Sequence, residues 1–192
     1  MTGDFYKKLN DLGTDELRRV WNNNKGVRER VFDYAMESAY FQVGNYLHGL
    51  PCGVADYSIG GQRDYFSVED PDGFLQWLKA TQRTYCLLPE NGKWNPWPLI
   101  EKAELIHNRM DSLYYDLSDE NYTRMETRRD EILDELADKV QEVLSGEYEY
   151  FYDEENCFSY FCEMQESILG DGYWIDDTFI LWNVYTVKEC FA

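Results

Sequence analysis

Histidine is nearly absent from this chain, with two in 192 residues, and with it goes most of the usual means of acid-base and nucleophilic catalysis. His48 stands four positions before Cys52, but Gly49, Pro51 and Gly53 mark a helix end, where a histidine simply meets the terminal carbonyls. His107 follows Glu104 at the Glu-x-x-His spacing of di-iron bundles, which need a second such pair, and the sequence has none. Five cysteines, Cys52, Cys86, Cys157, Cys162 and Cys190, are odd in number and include no Cys-x-x-Cys, a pattern that predicts reduced thiols and no structural zinc. Gly60-Gly61-Gln62-Arg63 lacks the glycine spacing and the lysine of a phosphate loop. Asp153-Glu154-Glu155 runs into Asn156 and Cys157 without the turn glycine of a calcium loop. Carboxylates are so plentiful that no chosen pair stands out as an acid-base dyad. No catalytic residue, metal ligand or cofactor is therefore assigned, and a non-enzymatic role is expected.

Long apolar runs are missing too. No stretch approaches the roughly 18 apolar residues of a membrane span, and Met1 to Lys8 has no signal-peptide h-region. A soluble cytoplasmic protein without membrane contact is expected. Basic residues are scarce: 18 Lys and Arg against 37 Asp and Glu leave a net charge of -19. The imbalance is local, because Asp119 to Ala192 holds 20 acids and 5 bases whereas residues 1–118 hold 17 and 13. Such a field repels nucleic acid and anionic lipid and draws in basic protein surfaces. Direct nucleic-acid binding is not expected. An acidic disordered tail is excluded by a 44% apolar and 17% aromatic composition.

Periodicity predicts an α+β fold, mainly helical, with a long antiparallel helical hairpin and a small antiparallel β-sheet. Thr14 is the expected cap of a short helix to about Asn23, and a longer helix begins after Gly26 and ends near Gly49-Leu50-Pro51, with Val27, Val31, Tyr34, Ala35, Ser38 and Phe41 inward. Asp64 to Val68 reads as a strand after a turn at Gly60-Gly61. Asp70 caps a helix that opens on Pro71. Leu99 to Leu117 and Ser118 to about Ser145, ending at Gly146, form the hairpin. Glu147 to Tyr150 alternates like a strand, Asn156 to Leu169 fits a helix, and Tyr173-Trp174-Ile175 with Thr178 to Val187 completes a terminal hairpin. One domain over 1–192 is expected, or two packed lobes, 1–90 and 97–192, joined by the Pro- and Trp-rich segment 89–98.

What the chain does have is an ordered array of acids. Glu126, Asp130, Asp134, Asp138 and Glu142 recur at four-residue steps, with Glu131 beside them, while Ile132, Leu136, Val140 and Leu144 repeat two positions out of phase. On a helix this makes a slowly winding negative stripe about 24 Å long, facing away from the core. Like charges four apart forgo about 1–2 kcal/mol over four pairs, so the array opposes the stability of its own helix. A second cluster interleaves acids and aromatics: Glu147, Glu149, Tyr150, Asp153, Glu154 and Glu155. Tyrosine rings stack on guanidinium groups while carboxylates pair with them, a composition suited to an arginine-rich surface. These twelve residues are the candidate partner-binding set.

In size, charge and the Tyr/Asp/Glu-rich pattern of residues 147–182, the chain resembles the small acidic anti-CRISPR and antirestriction DNA mimics of phages and mobile elements. The resemblance implies a basic protein partner such as a guide-loaded Cas9-type nuclease, blocked at its target-DNA groove. An immunity protein against a cationic toxin nuclease is the alternative binding role, and a Cys52/His48 enzyme the alternative of another class. The hairpin's apolar seam also offers a route to a homodimer.

Overall fold

The computed structural model describes residues 13–23, 25–51, 53–54 and 67–170, with side chains through Gln165, and the backbone of 173–175 and 178–180. Six α-helices dominate the described residues: α1 (Thr14–Asn23), α2 (Lys25–Leu47), α3 (Pro71–Tyr85), α4 (Trp97–Ser112), α5 (Asp119–Glu149) and α6 (Glu154–Gly170). A single 3-10 turn, Tyr150–Tyr152, links α5 to α6. The α+β expectation is thereby corrected to a mostly helical fold. Among the described residues, extended pairing is confined to a bridge between Val54 and Val68 and a ribbon of three residues a side, Tyr173–Ile175 against Thr178–Ile180. Neither is long enough to form the expected sheet, since independent stability takes three or more strands or a helix to pack on. The expected turn at Gly60-Gly61, Asp64 to Phe66 of the strand and the continuation to Val187 lie outside the described residues.

Local chemistry explains where the helices begin and end. Gly13, not Thr14, precedes the first turn of α1: its N–H donates to the Glu16 carboxylate at 3.0 Å, and its carbonyl accepts from Leu17. Glu16 reaches back as the glutamate of a capping box does, so the cap falls one residue earlier. Asp70 caps α3 by accepting the Gly73 N–H at 3.0 Å, and Pro71 fills the first turn. α3 stops at Cys86, which adopts a left-handed φ of 50°. The buried Gln82 amide then clasps Leu88, accepting its N–H at 2.7 Å and donating to its carbonyl at 2.8 Å. Ser118 Oγ accepts the Asn121 N–H at 3.4 Å at the start of α5.

Two expected boundaries move. α4 ends at Ser112 rather than Leu117, because residues 113–118 form the turn into α5. α5 runs through Gly146 to Glu149, so Glu147 to Glu149 is helix and not strand. A four-residue alternation is too short to separate the two periods, and Glu147 and Tyr148 are both half-buried, as neighbours on alternating strand faces are not.

The chain divides into two compact units, Met1–Tyr40 with Tyr148–Ala192, and Phe41–Glu147. The first has a core of Leu17, Val20, Trp21, Val27, Val31, Cys157, Phe158 and Phe161. Trp21 meets Phe158 edge-on at 5.7 Å and Phe161 at 5.9 Å. In the second, α3 and α4 pack side by side. Phe74, Leu78, Leu88, Ile100, Met110, Ile132, Leu136 and Leu144 are among its buried side chains. The segment 89–98 lies within this unit, where Asn91 Oδ1 accepts the Trp94 N–H at 3.2 Å and Trp97 donates to Glu90 at 2.7 Å. Phe41, expected inward, is 73% exposed. The buried row of α2 (Val27, Val31, Ala35, Ala39, Val43) advances about 40° at each four-residue step and has turned away from Phe41 by that point. Among the described residues, no helix is long and apolar enough to cross a membrane.

Candidate partner-binding surface

α5 carries the acidic stripe as one uninterrupted helix. Its apolar row is buried at Ile132, Leu136, Val140 and Leu144, which turns Asp134, Asp138 and Glu142 fully outward and leaves Glu126 and Asp130 half-exposed. The ends of the stripe are matched by local cations. Arg129, itself buried, holds Asp130 at 2.8 Å and approaches Glu126 at 3.9 Å. Arg128 pairs with Glu131 at 2.6 Å, and Lys139 with Glu142 at 2.5 Å. The middle is bare: Asp134, Asp138 and their neighbour Glu135 form no ion pair or hydrogen bond among the described residues. Glu135, one residue after Asp134, also lies on the outward face.

Three carboxylates of the aromatic-acidic cluster make contacts within the fold. Asp153 caps α6, its Oδ1 accepting N–H groups of Glu155 at 2.9 Å and Asn156 at 3.1 Å. Glu154 accepts the Trp21 indole N–H at 3.0 Å. Glu155 binds Arg18 in a two-pronged pair at 2.9 and 2.6 Å, and the Arg18 guanidinium lies over the Phe158 ring, 3.3 Å from its centroid. The guanidinium that this composition anticipates is thus one of the chain's own, on α1. Glu149 and Tyr150 are exposed, and Tyr150 packs edge-on against Phe151.

Glu147 belongs to neither face. It is half-buried beside Tyr46, and burial raises its pKa although the Tyr46 hydroxyl bond favours the charged form. Tyr46 is raised as well, first by burial and then by the Glu147 charge, against the lowering effect of Gln42, whose amide donates to the tyrosine oxygen at 2.7 Å. The twelve candidates therefore separate. Glu126, Asp130, Glu131, Asp134, Asp138, Glu142 and Glu147 lie in Phe41–Glu147, whereas Glu149, Tyr150, Asp153, Glu154 and Glu155 lie in the other unit.

The catalytic and metal alternatives find little material. Cys52 lies outside the described residues, and His48 is exposed in the turn after α2. Burial raises the Cys157 and Cys162 thiols, so neither is an activated thiolate. Glu104 is taken by Lys79 at 2.5 Å, and His107 sits 3.6 Å from Asp111. Among the described residues, no group of three or more His, Cys, Asp or Glu is placed to hold a metal ion. Comparison with known proteins finds no matching family model, no matching curated protein and no matching solved structure.

Proposed function

We propose that this protein is a non-enzymatic inhibitor that occupies the nucleic-acid groove of a basic protein, with the outward face of α5 standing in for a phosphate backbone. The partner class we favour is a Cas9-type nuclease, whose target heteroduplex lies in a positively charged channel. The setting is the cytoplasm of a bacterial host. The observation that supports this reading is charge density. Glu131, Asp134, Glu135, Asp138 and Glu142 are all exposed on α5. They span about 16 Å of helix axis, or one carboxylate per about 3–4 Å, against about 3.4 Å per phosphate along one DNA strand. Matched spacing lets one row of arginines and lysines engage either surface. The bare centre at Asp134, Glu135 and Asp138 needs no internal ion pair broken before it binds, so its full charge is available to a partner.

The test is DNA cleavage by the guide-loaded nuclease at near-physiological salt, titrated with this protein and with an unrelated acidic protein of equal net charge. Near-stoichiometric inhibition by this protein alone is expected. Asp134→Lys, Glu135→Lys and Asp138→Lys together add two charges each and take the net charge from -19 to -13. That triple variant should keep its helix content and lose inhibition. Inhibition retained by the triple variant would remove α5 as the interface, and parity with the acidic control would remove the nuclease as the partner.

A further inference from the structure

The elbow where α4 turns into α5 encloses a cleft of about 660 Å³, within the roughly 300–1,000 Å³ of small-molecule sites. Its floor is apolar: Leu105, Ile106, Leu113, Leu117 and Met125. Leu105 is 68% exposed, and together with its apolar neighbours it leaves a contiguous hydrophobic patch open at the elbow. Arg109, Arg124, Arg128 and Asn121 complete the lining, which holds no carboxylate among the described residues. This is a notable local inversion in a chain whose acids outnumber its bases 37 to 18. Arg128 is engaged by Glu131, and Arg124 donates to Asn121 at 3.1 Å. Among the described residues, neither Arg109 nor Arg124 has a carboxylate partner.

We propose that this cleft binds a free amphipathic anion, an acyl carboxylate whose chain lies on the leucine and methionine floor and whose head group is held by Arg109 and Arg124. The planar guanidinium fork matches a carboxylate with two parallel N–H donors, which a lysine cannot do. The apolar floor selects against inorganic anions and nucleotides, because their polar surface would lose water there without gaining partners. Size selects as well. An acidic macromolecule or an anionic bilayer meets the field of the whole molecule at net charge -19. A small anion inside the cleft is screened from charges beyond about 8 Å at physiological salt and responds chiefly to the nearby arginines. The cleft meets the outward face of α5 at the Arg128–Glu131 pair, while Arg109 and Arg124 bind none of that face's carboxylates among the described residues.

The test uses the full chain with isotope-labelled methionine methyl groups, followed by NMR during titration with decanoate below its micelle concentration. Decanol and decyltrimethylammonium serve as neutral and cationic counterparts. Met125 lines the cleft, and Met110, buried in the core, is the internal reference; the Met125 signal is assigned from Met125→Leu. The expected result is a saturating Met125 shift with decanoate alone, an unmoved Met110, and binding weakened at least about tenfold in Arg109→Gln/Arg124→Gln, since hydrogen bonds to charged groups carry that scale of energy. Absence of a saturating Met125 shift would overturn the proposal. So would equal binding of decanol or the ammonium probe, or indifference to the arginine substitutions.

Discussion

Glu147 is a carboxyl group whose ionisation the fold opposes. Burial beside Tyr46 raises its pKa above the ordinary 4.5. A raised carboxyl contributes stability that is fully present below the unfolded value and is lost as pH rises through the folded one. Glu147→Gln keeps an acceptor for the Tyr46 hydroxyl and removes the charge. The variant should therefore be more stable than wild type at neutral pH, and the difference should close as pH falls to the unfolded value, measured by urea unfolding across the acid range. A constant difference at all pH values would show that Glu147 acts through packing alone. The periodic acids of α5 were legible from spacing, because a four-residue step needs only the neighbouring turns of the same helix. The role of Glu147 was not, because Tyr46 lies on another helix. The same holds for Glu154 and Glu155, whose partners Trp21 and Arg18 are 133 and 137 positions away. A carboxylate reserved for a partner and one already bound at home look alike in a sequence.

At the scale of elements, the start of α3 is the most closely specified cap. A Cβ on Gly73 would run into the Asp70 carboxylate that caps the helix and crowd Pro51. Gly73→Ala should thus leave stability about unchanged, because a lost N-cap costs about 1 kcal/mol and alanine is favoured over glycine in helices by about the same amount, whereas Asp70→Ala should cost about 1 kcal/mol. Thermal unfolding of Gly73→Ala beside Asp70→Ala measures this, and a Gly73→Ala protein more stable than wild type would show that the cap survives the crowding. Asp70 and Pro71 announced this helix because a cap signal is local. Gly146 misled for the complementary reason: glycine ends helices by taking a left-handed conformation, and Gly146 is not among the positive-φ glycines. The alternation of Glu147–Tyr150 spans only four residues, too short to exclude the end of α5 and the 3-10 turn that form there.

For the whole molecule, net charge was readable at once from composition, whereas its division was not, since the first compact unit gathers sequence from both sides of the second. That division sets an order of events during synthesis. Residues up to Tyr40 leave the ribosome first, yet Trp21 finds Phe158 and Phe161 only after Phe41–Glu147 has been made. At translation rates of roughly 5–20 residues per second, making Phe41–Glu147 takes roughly 5–20 s, long compared with helix formation in about a microsecond. Chains stalled through a spacer long enough to carry residue 150 clear of the ribosome should accordingly resist brief proteolysis within Phe41–Glu147 while being cut near Trp21, and stalling with α6 also clear should protect both. Early protection of Trp21 would mean that its neighbourhood folds without α6. α1 is thus a nascent segment held in waiting, and Trp21, uncovered until α6 arrives, is a natural place for a chaperone to grip.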